Sequence, residues 1–184
     1  MNDSSRFLTL SNLLSISRAV LIVPFAAVAL SEIPGARLWA CLIMAVAALT
    51  DRLDGLLARK LHEVTDWGKI LDPLADKVGV AAVALVLLVL RAIPLWFVIA
   101  LVGRDLVILS GGIFLKARKG ILMQSNEAGK WTVGVVALTL AVALSGVAPP
   151  VLPFLIAGCA AMLLLSLILY GVRFAGALRR PAEA

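Results

Sequence analysis

The sequence predicts an all-α integral membrane protein, six transmembrane helices around a polar cavity open to the cytoplasmic side, and three observations carry that prediction. Of 184 residues, 62% are hydrophobic and only 15% charged, with a mean hydropathy of +1.05, far outside the range of soluble globular domains. The apolar residues gather into six runs of roughly the 20 residues that a helix needs to cross a hydrocarbon core. The basic residues fall at the ends of those runs rather than within them, and mostly on one side. The chain, 1–184, reads as a single membrane domain.

The runs place spans at 13–31, 37–59, 67–90, 92–115, 130–148 and 150–172. Ahead of the first, residues 1–11 carry Phe7, Leu8 and Leu10 and are expected to form a short interfacial helix. The first span imitates a signal peptide, with small residues around Ala26 to Ala29, but its polar lead-in is long and five spans follow, so it is read as retained. Trp39, Trp67, Trp96 and Trp131 each fall near a span start, as interfacial anchors do. Pro73 lies near the start of the third span and marks a kink rather than a break. His62 sits in the second connection and is expected to be solvated. Cys41 and Cys159 lie inside apolar runs and read as buried thiols rather than as a disulfide or metal ligands.

An even number of spans puts both termini on one side. Arg6, the connection from Arg59 to Lys69, the cluster Lys116, Arg118 and Lys119, and Arg173, Arg179 and Arg180 all map to that side, against Arg37 and Arg91 opposite. The positive-inside rule makes it the cytoplasm. The net charge of +6 does not indicate nucleic acid, because the basic residues form no groove interleaved with aromatics.

Against this apolar background the stretch from 51 to 76 holds four aspartates: Asp51-Arg-Leu-Asp54-Gly55-Leu-Leu-Ala58-Arg59, eight residues, then Gly68-Lys-Ile-Leu-Asp72-Pro-Leu-Ala-Asp76. Positions 51, 54, 55, 58 and 59 lie on one helical face and 68, 72 and 76 on another. Facing each other, the two stripes make a four-carboxylate pocket. Asp51 is 14 residues in from Arg37, Asp76 is 15 and Arg104 is 13 from Arg91, and Arg18 is 14 from Glu32. At the helical rise each lies about 20 to 22 Å inward, so charges from independent spans converge at one depth beneath the cytoplasmic headgroups. Ionised carboxylates within a membrane are expensive and mark function. Four unpaired aspartates would repel and hold protons, whereas two oxygen-ligated divalent cations would keep them ionised and supply the charge that a pyrophosphate requires. Gly55 and Gly68 let a bulky group approach the backbone beside them.

Asp51, Asp54, Gly55, Ala58, Arg59, Gly68, Asp72 and Asp76 match in type and spacing the signature of the CDP-alcohol phosphatidyltransferases. Asn12, Ser15, Arg18 and Pro24 also resemble that family's first-span pattern. The resemblance implies a membrane enzyme, commonly a homodimer, that moves a phosphatidyl or related group from a CDP-linked donor to an alcohol and releases CMP. It implies that Asp51, Asp54, Asp72 and Asp76 hold two Mg²⁺ or Mn²⁺ ions and that Asp76 doubles as general base. Asp54, Gly55, Ala58, Arg59 and Gly68 would bind the CDP donor, with Arg59 forking onto phosphate oxygens.

For the acceptor, Arg104, Lys116, Arg118, Lys119 and Lys130 on the fourth and fifth spans favour an anionic alcohol such as glycerol 3-phosphate. Asp105 is the obvious partner of Arg104, yet adjacent residues on a helix point about 100° apart, so Arg104 is expected to await an anion. The run Ser125 to Thr132 is similar to the Ser…Gly-Lys-x-Lys-Thr region of the phosphatidylglycerophosphate synthases, the members the chain most resembles, with Thr132 where a second Lys is usual. Gly103-Arg104-Asp105 is similar to the cardiolipin synthases, whose acceptor is phosphatidylglycerol. The expected substrates are CDP-diacylglycerol and one of these two acceptors, and the expected location a bacterial inner membrane with the active site facing the cytoplasm. A transporter would also place charges at depth on several helices, but with internal repeats or broken helices, and neither is evident. A noncatalytic scaffold would not need the full constellation.

Overall fold

The computed structural model describes residues 10–61, 68–119, 127–146 and 150–179, with side chains over 20–50, 77–118, 129–146 and 150–178. Every predicted span is a helix: α1 (Leu10–Ala29), α2 (Ala36–Leu61), α3 (Gly68–Val89), α4 (Leu95–Lys119), α5 (Glu127–Ser145) and α6 (Leu152–Arg179). The interfacial helix expected over 1–11 lies outside the described residues except for Leu10 and Ser11, which open α1.

Local chemistry sets the boundaries. Pro24 sits within α1, where its missing N–H leaves the carbonyl of Val20 without the usual donor. The helix ends as Leu30 N–H bonds Ala26 O at 3.0 Å, and the Ser31 hydroxyl donates to Val28 O at 2.7 Å. Gly35, at φ +78°, then turns the chain into α2. At the end of α3, Arg91 N–H bonds Leu88 O at 3.0 Å and Ala92 N–H bonds Leu87 O at 2.9 Å, the two bonds of a Schellman cap. Its left-handed position is filled by Arg91 at φ +54°, not by glycine. Pro94 accepts the Phe97 N–H at 3.1 Å, so α4 starts at Leu95 and not at 92. Gly146 at φ +64° ends α5 three residues before the expected 148.

The chain divides into two compact units, residues 1–92 with 144–146, and residues 93–143 with 147–184. In the first, α1 packs against both α2 and α3. Phe25 and Ala29 of α1, Ala40 of α2 and Ala84 and Leu87 of α3 are buried there; small side chains let membrane helices approach closely. The guanidinium of Arg37 lies over Gly146, where a Cβ would collide with it.

In the second unit α4 packs on α6. Gly111 admits the Tyr170 ring, whose hydroxyl donates to Ile108 O at 3.0 Å and whose face stacks on Phe174 with centroids 6.2 Å apart. The α5 helix meets α6 where the Thr132 hydroxyl donates to Met162 O at 3.4 Å. Large apolar side chains face outward as well as inward, unlike those of a water-soluble protein. The buried polar residues Thr132, Thr139 and Ser166 are inside, while Ile99, Leu106 and Ile113, seven residues apart on α4, stand 60–62% exposed. Leu95–Arg118 and Leu152–Leu178 are long and apolar enough to cross a membrane, and only 17% and 22% of their most apolar windows are buried. A core helix of a soluble domain would be mostly buried, so these two present a lipid-like exterior. Shorter apolar stretches occupy Val20–Ala29, Ala36–Thr50, Lys77–Val89 and Gly129–Ser145.

Candidate functional site

Asp51, Asp54, Gly55, Ala58 and Arg59 fall in the last three turns of α2, and Gly68, Asp72 and Asp76 in the first turns of α3. Their side chains, and the cavity expected around them, lie outside the described residues. The two helices that carry the aspartates share a neighbour, α1, which packs on both. Among the described residues no group of three or more His, Cys, Asp or Glu could hold a metal. The donor set of the pattern is four carboxylates with neither His nor Cys among them, and hard oxygen donors of that kind fit Mg²⁺ or Mn²⁺ rather than zinc.

The basic residues proposed for an acceptor are spread over α4 and α5. Arg104 occupies the middle of α4, its side chain only 10% exposed. The expectation that it lacks a protein partner is overturned. Its Nη1 donates to Asp105 Oδ1 at 2.6 Å, and its Nη2 to the Ser166 hydroxyl oxygen on α6 at 2.5 Å. A 100° offset between neighbouring Cβ atoms does not keep apart a side chain as long and flexible as arginine, which can curl back along the helix surface. Burial makes that pairing favourable, because an unpaired guanidinium would be far costlier. Nε of Arg104 is buried and has no hydrogen-bond partner.

Arg118 is exposed at the other end of α4, its guanidinium carbon 5.7 Å from the centroid of the Phe114 ring. Arg118 lies 14 positions beyond Arg104 along unbroken helix, which separates their backbones by about 21 Å, so the two do not converge on one small anion. Lys130 is exposed in the first turn of α5. Two residues on, Thr132 is 1% exposed and bonded to α6, which accounts for the short hydroxyl where a second lysine was looked for: a lysine there would face a helix backbone. Ser166, also 1% exposed, was not among the residues singled out, and nothing in the sequence distinguishes it from other serines in apolar spans. Cys159 is buried as expected and Cys41 half-buried, both free. Trp39, Trp96 and Trp131 are 53–70% exposed in the first turns of α2, α4 and α5, while Trp67 lies outside the described residues.

A family model for the CDP-alcohol phosphatidyltransferases matches residues 8–172, which contain the whole aspartate pattern. The chain belongs to this family. As a CDP-alcohol phosphatidyltransferase it is similar to proteins of Aquifex aeolicus (strain VF5) and Bacillus subtilis (strain 168), both named CDP-diacylglycerol--glycerol-3-phosphate 3-phosphatidyltransferase. Identity to the first is 41% over 132 residues, 70% of this chain and 71% of that one; identity to the second is 38% over 99 residues, 54% of this chain and 51% of that one. It is also 32% identical over 110 residues, 58% of this chain and 51% of the relative, to a Streptomyces coelicolor protein named cardiolipin synthase (CMP-forming). The chain thus spans about half the length of the Bacillus and Streptomyces relatives.

Proposed function

We propose that this CDP-alcohol phosphatidyltransferase moves the phosphatidyl group of CDP-diacylglycerol to glycerol 3-phosphate and releases CMP, a step of phospholipid biosynthesis. The observation that carries the reading is the eight-position pattern from Asp51 to Asp76 lying within the matched stretch. The names of the Aquifex and Bacillus relatives favour glycerol 3-phosphate as acceptor. The Gly103-Arg104-Asp105 run and the name of the Streptomyces relative favour phosphatidylglycerol as the second reading.

On this proposal Asp51, Asp54, Asp72 and Asp76 hold two Mg²⁺ or Mn²⁺ ions, which neutralise the pyrophosphate and favour departure of CMP. Asp54, Gly55, Ala58, Arg59 and Gly68 bind the donor, and the three small residues leave room for it next to the backbone. Asp76 takes the proton from the acceptor hydroxyl. The hydroxyl oxygen then forms its bond to the lipid-linked phosphorus as the bond from that phosphorus to the CMP oxygen breaks. Arg104 and Lys130 recognise the acceptor phosphate, and Arg118, at the end of its helix, attracts the anion toward the membrane surface. All six helices span the membrane in this reading, around a cavity open to the cytoplasm. The enzyme works in a bacterial inner membrane as a homodimer.

The test uses the purified full chain with CDP-diacylglycerol, Mg²⁺ or Mn²⁺, and a panel of glycerol 3-phosphate, phosphatidylglycerol, inositol phosphate, inositol and serine. CMP release on addition of glycerol 3-phosphate supports the proposal. Release only with phosphatidylglycerol selects the second reading, and no release with any acceptor refutes both.

A further inference from the structure

The hydrogen-bond pattern of Arg104 points to a function for α6 that the sequence did not suggest. A guanidinium offers five N–H donors in a rigid plane. Here one terminal nitrogen is held by Asp105 from its own helix and the other by Ser166 from α6, while Nε has no acceptor although the side chain is nine-tenths buried. Fixing both terminal nitrogens from two different helices removes the rotation of the plane, so the direction of the remaining donor edge is set by the packing of α4 on α6. Buried donors are nearly always satisfied in folded proteins, and an orphaned one on a pre-oriented guanidinium suits an anionic oxygen supplied by a ligand. One turn before Ser166 on the same helix, the carbonyl of Met162 accepts the hydroxyl of Thr132, two residues after Lys130. A single turn of α6 therefore braces both segments that carry basic residues of the acceptor site.

We propose that Ser166 is a positioning residue that acts through Arg104 to set the affinity for the phosphate of the acceptor. The proposal rests on the reading of Arg104 as an acceptor-binding residue and adds to it the element that orients the guanidinium. Ser166 itself touches no substrate. Its hydroxyl holds Nη2, so that phosphate binding need not first immobilise a long side chain.

The experiment measures KM for glycerol 3-phosphate and for CDP-diacylglycerol, with thermal stability, in the purified full chain and in Ser166→Ala, Ser166→Thr, Arg104→Ala and the Ser166→Ala/Arg104→Ala double variant. Loss of one hydrogen bond to a charged group should raise the acceptor KM of Ser166→Ala about tenfold, with the donor KM little changed. Ser166→Thr should restore it. In the Arg104→Ala background Ser166→Ala should add nothing, since its effect passes through the guanidinium. If Arg104→Ala raises the acceptor KM and Ser166→Ala does not, the positioning role is wrong and the acceptor reading stands. A Ser166→Ala effect that adds to that of Arg104→Ala, or that moves both KM values together with the melting temperature, also overturns it. If Arg104→Ala leaves the acceptor KM at the wild-type value, the acceptor reading fails and this proposal fails with it.

Discussion

Two neighbouring glycines on α4 should respond in opposite directions to the same substitution. A Cβ on Gly111 would lie 2.7 Å from the Tyr170 hydroxyl oxygen, 3.2 Å from Cε1 of that ring and 3.4 Å from Cε2 of Phe174, whereas a Cβ on Gly112 would meet only the Tyr170 hydroxyl, at 3.9 Å. Tyr170 is not free to retreat. Its hydroxyl is tied to Ile108 O at 3.0 Å and its ring is stacked on Phe174, which in turn lies 6.3 Å from Phe114. Gly111→Ala must therefore break a neutral hydrogen bond, about 1 kcal/mol, and overpack a tight contact, about 1–3 kcal/mol. Against this the helix gains about 1 kcal/mol from replacing glycine by alanine, leaving a net loss of about 1–3 kcal/mol. Gly112→Ala keeps the gain without the clash. Thermal unfolding in detergent micelles should separate the two variants by several degrees. Adding Tyr170→Phe to Gly111→Ala should recover part of the loss, because it removes the atom in closest conflict. Equal stability of Gly111→Ala and Gly112→Ala would show that Gly111 does not form the seat of the Tyr170 ring.

Asp72→Asn should cut CMP release by orders of magnitude, and excess EDTA should abolish release in the wild type; full activity in EDTA would remove the metal from the proposal. Asp76→Asn should impair transfer far more than it weakens CDP-diacylglycerol binding. If donor affinity and turnover fall in equal measure, Asp76 is a ligand only. Arg104→Ala and Lys130→Ala should each raise KM for glycerol 3-phosphate well above any change in KM for the donor, and unchanged acceptor KM values would send the search for the phosphate site elsewhere. Gly146→Ala places a side chain in a left-handed backbone and against the Arg37 guanidinium, and should cost about 1–2 kcal/mol in a detergent melt, which an unchanged melting temperature would contradict.

The six helices were legible because long apolar runs are a strong signal, but their ends were less so: α5 stops at Ser145, three residues before the expected 148, although Gly146 marks the place. The end of α3 carries no such mark, since Arg91 adopts the conformation usually left to glycine. The sixth helix outruns its apolar stretch by seven residues, to Arg179, because a helix leaving the bilayer need not stop where hydrophobicity does. At the candidate site the aspartate pattern could be read from spacing alone. The partners of Arg104 could not, because side-chain reach and the register between α4 and α6 decide them. Sequence separation hides the contact with Ser166, 62 positions away, and the preference of adjacent residues to diverge argued against Asp105.

Among the described residues, the segments that follow α1, α3 and α5 carry the left-handed residues Gly35, Arg91 and Gly146. On the proposed topology these are the segments that must be carried through the bilayer during biogenesis. Closing turns of about five or six residues adds little loop entropy, and between Leu30 and Gly35 and between Leu90 and Pro94 they contain only Glu32 and Arg91 as charged residues. On that topology α1 and α2, which pack together, can enter the membrane as a preformed hairpin during translation, with Glu32 the single charge to translocate in the turn between Leu30 and Gly35. The basic ends of these two helices would stay on the side of the ribosome, and packing of α3 against α1 would follow once that helix is made.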